Sequence, residues 1–497
     1  MRAADILRPP KMSNAPAAPQ CPPPPARPAR KTWTAGALTY TTGGVAALFL
    51  WLLWGDLAWA MRDRSVMPMA QWYLNSLGIP SAVYALLISS VPAAIALVAG
   101  PVISVKSDRH RGRRGRRIPF LLALTPLAAF GMLGIALTPF LADEAARVFA
   151  PGHPAGGWLR AALDGSVAGS VLQDRQVVAI ACFGVFWVAY ELAVIAAQLV
   201  FGGLINDVVP RALLGRFYGL FRAISLIDGM IFNFWIIGHV PAHFTLIMVV
   251  IGLFHLVVVM WTFLKIREGA YPPPPPPRPV GAGRAGRFLA GAGDYFRECF
   301  TNSYYVLIFV MMMAAMMAFS PVNVYAIPHA QSLGVDMHVY GKFLALTFLI
   351  SLGLSYFLGW LADVFHPLRV TIASLAAYAL VAGWGGIFAR TAETFLVAWV
   401  AHGVLAGCYF TSAASLGQRL YPHSKYAQFA SAAGIFLAMA NMVLMPLVGL
   451  LIDGTGRTYR HTFTVACALA LVSLAAAWGV HRKFTRLGGA AGYVAPE

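Results

Sequence analysis

Four carboxylates, Asp56, Asp63, Glu191 and Asp228, fall inside stretches that are otherwise apolar. In hydrocarbon such groups cost at least ~2.5–3.5 kcal/mol each on insertion scales, so they normally face a polar cavity and a partner. The chemistry open to them is proton binding and release, because burial raises a carboxylate's affinity for a proton and a neighbouring cation lowers it. Asp56 and Asp63 are seven residues apart and share one face of a helix, with Arg62 and Arg64 beside the second. Glu191 and Asp228 lie on apolar runs that enter from opposite sides, which puts them at similar depth near the centre. Gln198 follows Glu191 by seven residues on the same face, and Arg222 reaches a comparable level. A guanidinium there suits vicinal hydroxyls, since its planar donors form a fork. Two plainer readings stay open. Arg62-Asp63-Arg64 is a surface loop if the first span stops near residue 61, and Arg222 with Glu191 or Asp228 is a structural ion pair. In the second half His402, Asn323, Asn441, Tyr325, Tyr409 and Lys342 are the polar candidates, and a lone intramembrane histidine such as His402 reads as packing.

A second group sits at the ends of apolar runs. Asp108 closes one run just before the cationic segment from Arg109 to Arg117, where it can accept hydrogen bonds from Arg113 or Arg114. Asp363 with Arg369 repeats the arrangement at lower charge, and ordinary helix capping accounts for Asp363 equally well. These residues suit a gate that changes conformation better than they suit substrate recognition.

The elements that must position these groups are membrane spans. Hydrophobic residues make up 59% of the chain and charged ones 11%, with a mean hydropathy of +0.68. Such composition marks an integral membrane protein. The net charge of +18 resides in short loops between apolar runs, which excludes a soluble nucleic-acid-binding domain. Runs of about 20 apolar residues can be counted twelve times. Cationic loops are retained in the cytoplasm, so the segment before Arg117 places both termini on that side. The expected organisation is a disordered Pro/Ala-rich tail over 1–43, six spans in 44–264, a Pro-rich basic linker over 265–302, six spans in 303–480 and a tail over 481–497. The first span, continued through Met67, Met69 and Trp72-Tyr73, reads as a long interrupted helix over 44–73. The loop 142–176 is external and carries no assigned chemistry, and Asp453 reads as a turn residue. Scattered cysteines have neither metal nor disulfide spacing.

The halves echo each other, Asp108 with Asp363 and the loop 206–217 with 417–426, and a six-plus-six duplication suggests a transporter with its site between the halves. The run from Gly100 through Asp108 to Arg117 resembles the loop signature of the major facilitator superfamily, with Ser104 in place of a glycine and extra arginines. Leu77-Gly78-Ile79-Pro80, Gly100-Pro101, Gly115-Arg116-Arg117-Ile118-Pro119-Phe120, Gly55-Asp56 and the run from Phe201 through Asn206-Asp207 to Phe221-Arg222 look like its glycoside–pentoside–hexuronide and sucrose transporter branch. The superfamily likeness covers 44–480, and the branch likeness rests on the first half. The resemblance implies an all-α membrane protein of 12 transmembrane helices in two pseudo-symmetric six-helix bundles. It also implies that Arg222 matches an arginine bonding sugar hydroxyls, that Phe201 matches an aromatic stacking on the sugar ring, and that gate contacts at Asp108 stabilise an outward-facing state. Sodium-coupled members carry acidic residues within the second span, where this chain has only Ser89 and Ser90, which argues against sodium.

The expected function is therefore proton-coupled symport of a sugar or glycoside by a monomer in the cytoplasmic (inner) membrane. Asp63, Glu191 or Asp228 would carry the proton, Arg222, Gln198 and Asp56 would line the substrate site, and Phe201 or Trp187 would give the stacking surface. No cofactor is expected, there being no Gly-x-x-x-x-Gly-Lys-Ser/Thr phosphate loop. An exporter of hydrophobic compounds, using methionines such as Met311 to Met313 as an adaptable surface, is the rival reading. A membrane-embedded enzyme is disfavoured, since His153, His239, His243 and His255 lack ligand spacing.

Overall fold

The computed structural model describes residues 32–149, 174–269, 299–422 and 425–496, together with 153, 156, 157, 161, 162, 271 and 297. Residues 1–31, most of the 142–176 loop and most of the Pro-rich linker lie outside the described residues. The last part of the expected disordered tail is ordered. β1 (Thr32–Ala35) and β2 (Leu38–Thr41) form an antiparallel hairpin that pairs Thr32 with Thr41 and Trp33 with Tyr40. Alternating threonine and aromatic residues suit a pleated strand, and Gly36 takes the positive φ of +55° that the two-residue turn demands.

Among the described residues, twelve long helices follow. The first half holds α1 (Thr42–Ser76), α2 (Ser81–Ala85, a π-helical turn Leu86–Ser90, then Val91–Arg109), α3 (Ile118–Val148) and α4 (Arg175–Val208). It is completed by α5 (Leu214–Ile231, extended by a π-helical turn Phe232–Ile236) and α6 (Val240–Lys265). The second half holds α7 (Ser303–Val324), α8 (Met337–Phe365), α9 (Pro367–Phe388), α10 (Ala392–Ala413), α11 (Tyr426–Gly454) and α12 (His461–Arg486).

Among the described residues, eleven apolar helical runs are long enough to cross a membrane, and one of them, Arg216–Lys265, is 50 residues long. This run folds back and supplies two spans. Phe217 lies against Phe49 and Ser225 against Arg64, so α5 runs along α1, whereas Trp261, His255 and Phe244 meet Trp51, Trp59 and Trp72 in reverse order. The backbone leaves the helical region at His243, within the first turn of α6.

α1 itself corrects the expectation of an interrupted helix. It is continuous for 35 residues through Pro68, about 52 Å at 1.5 Å per residue. Membrane helices tolerate such a proline because neighbouring helices re-satisfy the freed carbonyl. The irregularities fall instead on α2 and α5, as the two π-helical turns.

Both halves repeat one packing scheme. In the first, α1 packs on α5 and α6, α3 on α4 and α6, and α2 on α4; in the second, α7 packs on α11 and α12, α9 on α10 and α12, and α8 on α10. The halves meet symmetrically as well, through α2 on α11 and α5 on α8. Close approach there is set by glycine. A Cβ on Gly449 of α11 would lie 2.6 Å from Ala82 Cα, and one on Gly341 of α8 would lie 2.1 Å from the carbonyl oxygen of Asn233.

Candidate functional site

The site grows from α1, whose mid-section Trp59 to Arg64 carries one guanidinium inward and another to the interface. Arg62 is fully buried, ion-paired with Asp63, and its guanidinium carbon lies 4.4 Å above the Trp59 ring. Glu191, buried on α4, is a further electrostatic neighbour of Arg62. Asp56, one and a half turns before Arg62, is buried with Oδ2 lacking a partner among the described residues. Its electrostatic neighbours are Asp228 and Asp63. Asp228 on α5 is wholly buried, and neither of its oxygens has a partner among the described residues. The four carboxylates singled out by sequence thus converge on one region of the first half. The alternative in which residues 62–64 form a surface loop is overturned, because α1 continues well past them.

Arg64 points to the interface between halves. Its Nη2 donates to Ser225 Oγ at 2.8 Å, and its guanidinium lies 5.0 Å from the ring of Phe348 on α8. Beside it opens a cavity of about 360 Å³ lined by Arg64, Arg222, Asn323, Thr347, Ser351 and Trp399. Phe348 and Phe410 add aromatic walls. Arg222 is exposed to this space and has no ion-pair or hydrogen-bond partner among the described residues, so the alternative of an ion pair with Glu191 or Asp228 does not form. The second-half wall is cross-linked around His402. His402 contacts Tyr378 Oη through Nδ1 at 2.9 Å and Asn323 Oδ1 through Nε2 at 3.2 Å. Trp399 stacks on the same imidazole at 5.4 Å. His402 is therefore a partnered, buried residue that props the cavity wall.

Other sequence candidates lie elsewhere. Gln198 lines a separate cleft of about 630 Å³ with Leu97, Gly100 and Ser431, between α2, α4 and α11. Phe201 is buried, stacked on Trp59 at 4.9 Å and close to Phe221 and Phe263, so it belongs to the aromatic core of the first half. Trp187 is fully buried and donates to the carbonyl oxygen of Leu87 at 2.8 Å, which satisfies part of the π-helical turn of α2. Both rings are consumed by packing, because an aromatic on a helix face already covered by neighbours has no free surface.

At the basic end, Asp108 pairs with Arg117 at 2.9 Å rather than with Arg113 or Arg114. Arg113 and Arg114 are exposed and line a cleft of about 310 Å³ with Arg267 and Glu268. The loop's centre is Asp207, which accepts from Arg116 and Arg117, each at 2.7 Å. Glu268 accepts from the backbone N–H groups of Arg116, Arg117 and Ile118, and so caps α3 from outside the spans. Burial first, then the Glu268 carboxylate, push the Tyr271 phenol far above its ordinary range, so it stays a donor to Asp207 and Glu268. In the second half Arg369 is exposed, and the Asp363 side chain lies outside the described residues.

The halves are laced together at the opposite end. Asp453 accepts from the backbone N–H groups of Ser81 and Ala82 at 2.9 and 3.1 Å, Arg457 donates to the carbonyl oxygen of Gly78 at 3.0 Å, and Asn75 bonds Gln331. Tyr84 donates to the carbonyl oxygen of Val324 and Tyr325 to that of Ser81, both at 2.9 Å. Asp453 is thus a bridge between halves and not a simple turn residue. Its length of separation from Ser81 in sequence gave no signal of the contact. Trp399 and Glu268 were equally invisible, while Asn323 stood out as a polar residue in an apolar span.

Twelve spans in two equivalent halves around a polar cavity are diagnostic of one architecture. The chain has the major facilitator fold. Residues 307–488 match the family model described as Major Facilitator Superfamily. Among solved structures, the chain is similar to a bacterial homologue of the human lysosomal transporter Spinster, with a TM-score of 0.59 and 13% identity over 89% of this chain and 97% of that one. It is similar to a D-xylose–proton symporter, with a TM-score of 0.59 and 12% identity over 87% and 97% of the two chains. It also resembles the nucleoside transporter NupG, with a TM-score of 0.54 and 13% identity over 88% and 99%. No curated protein sequence matches the chain.

Proposed function

We propose that the chain is a secondary transporter that moves a sugar or glycoside with protons by alternating access across the cytoplasmic membrane. The observation that carries this reading is the polar cavity between the halves, bordered by Arg64 and Arg222 on one side and by Asn323, Thr347 and Trp399 on the other. A site shared by both halves changes its accessibility when they rock, and rocking requires one end to unlace as the other closes. With the basic loop in the cytoplasm, the lacing at Asp453 and Arg457 is external and the conformation is inward-facing. Asp56 and Asp228, buried without donors, supply groups whose charge is costly unless a proton is taken up. Arg222, placed on the cavity, keeps its role as a substrate ligand; Gln198 would contact solute only along the route past the separate cleft. Both termini are cytoplasmic in this reading, and a monomer contains the complete site.

Uptake into vesicles under an imposed pH gradient tests it. Accumulation should collapse when Asp56 and Asp228 are both neutralised; undiminished accumulation would remove proton coupling through them.

A further inference from the structure

The charges around the cavity are not balanced. Arg64 and Arg222 both line it, and no carboxylate is among its lining residues. Arg64 spends its donors on Ser225, a neutral partner, through Nε to the carbonyl oxygen at 3.2 Å and through Nη2 to Oγ at 2.8 Å. Arg222 has no partner among the described residues, and its electrostatic neighbour is Arg64, of like sign. Asp63, paired with Arg62, and Asp228, buried within the first half, are electrostatic neighbours of Arg64 and offset part of its charge from behind the cavity wall. In the opposite wall Trp399 is buried, and its Nε1–H has no acceptor among the described residues. Asn323 Oδ1, a neighbouring acceptor, is already engaged by His402.

The lining is therefore rich in unused donors and positive charge. Two like charges facing one cavity are costly when only Arg64 has acidic neighbours and Arg222 has no partner among the described residues. A neutral hydroxyl can accept from a guanidinium but leaves the charge uncompensated, whereas a carboxylate or phosphate oxygen does both and fits the guanidinium fork. We infer that the solute carries a negatively charged group, a carboxylate or a phosphate, which seats between Arg222 and Arg64 and accepts from the indole N–H of Trp399. The volume of about 360 Å³ suits a solute of monosaccharide size. This inference rests on the transporter reading and refines its substrate class.

Four probes test it on the purified full-length chain in lipid nanodiscs: D-glucuronate, D-glucose 6-phosphate, D-glucose and benzoate, with affinity read by calorimetry. At least one of the two sugar anions should bind tenfold or more tighter than glucose, and the preferred one separates carboxylate from phosphate. Arg222→Gln should reduce that preference to threefold or less, while Arg222→Lys should retain most of it. If Arg222→Gln does not fold, Trp399→Phe carries the test, with an expected loss of several-fold in anion affinity and little change for glucose. Benzoate binding without the sugar anions would sustain the charge inference and remove the sugar. Glucose binding as tightly as both sugar anions, or a preference unaltered in the foldable variants, would overturn the inference and leave sugar transport standing. Binding of none of the four would overturn both.

Discussion

Arg62 and Asp228 illustrate two fates of a charge in the membrane. Arg62 is enclosed but compensated by Asp63 and by the face of Trp59. Neutralising its partner, Asp63→Asn, leaves a buried cation unpaired, and the expected loss is about 2 kcal/mol, between exposed and buried pairs because Asp63 is part-exposed and Glu191 and Trp59 remain. Thermal unfolding in detergent measures it, and an unchanged melting temperature would refute the pairing. Asp228 is enclosed without a hydrogen-bond donor among the described residues, with Arg64 only an electrostatic neighbour. Asp228→Asn removes only the charge, so folding should be kept or improved while pH-driven accumulation is lost and solute exchange at equal pH persists. Counterflow and gradient-driven uptake in the same vesicles separate these outcomes; loss of both would make Asp228 a binding or folding residue instead.

At the scale of elements, the two π-helical turns lie on α2 and α5, the helices through which the first half touches the second. Each faces a glycine-bearing partner, α2 with Gly449 of α11 nearby and α5 with Gly341 of α8. Widened turns and missing side chains allow backbones to approach closely enough for contacts such as Asp453 with the N–H groups of Ser81 and Ala82. Asp453→Asn weakens that lacing electrostatically and Gly449→Ala wedges it sterically, since a Cβ at 2.6 Å cannot be accommodated without movement. Both should shift spin-label distances between Ser76 and Ser332 to longer values. A distance distribution identical to that of the parent protein in both variants would mean the end is held by other contacts.

For the molecule as a whole, the proposed alternating access requires each half to move as a unit. The Asp108–Arg117 and Asp207–Arg116–Arg117 network joins α2, α3 and α4 within one half, and Glu268 ties the start of the linker to it. Such a brace lets the first half move as a unit. Asp108→Asn should slow turnover severalfold while altering solute affinity by less than twofold. Transport rates in vesicles and calorimetric affinities compare the two, and normal turnover would reduce this segment to a marker of orientation.

Much of this was readable from the chain alone, because a bilayer leaves few options. Apolar runs of sufficient length must be helices, and repeated loop patterns at Asp108 and Asp363 exposed the duplication. Intramembrane carboxylates are rare enough that Asp56, Asp63, Glu191 and Asp228 stood out by position. Their partners were not readable, since pairing depends on helix rotation and on which faces meet. Arg117 rather than Arg113 or Arg114 takes Asp108, Arg62 rather than Arg222 takes the acidic partner, and Phe201 is spent on Trp59. The sequence by itself therefore determined the number of spans, their duplication and the presence of buried charge, which follow from hydrocarbon thickness and solvation cost. Only the tertiary structure decided which guanidiniums face the cavity and which end is laced shut, because those depend on contacts between residues hundreds of positions apart.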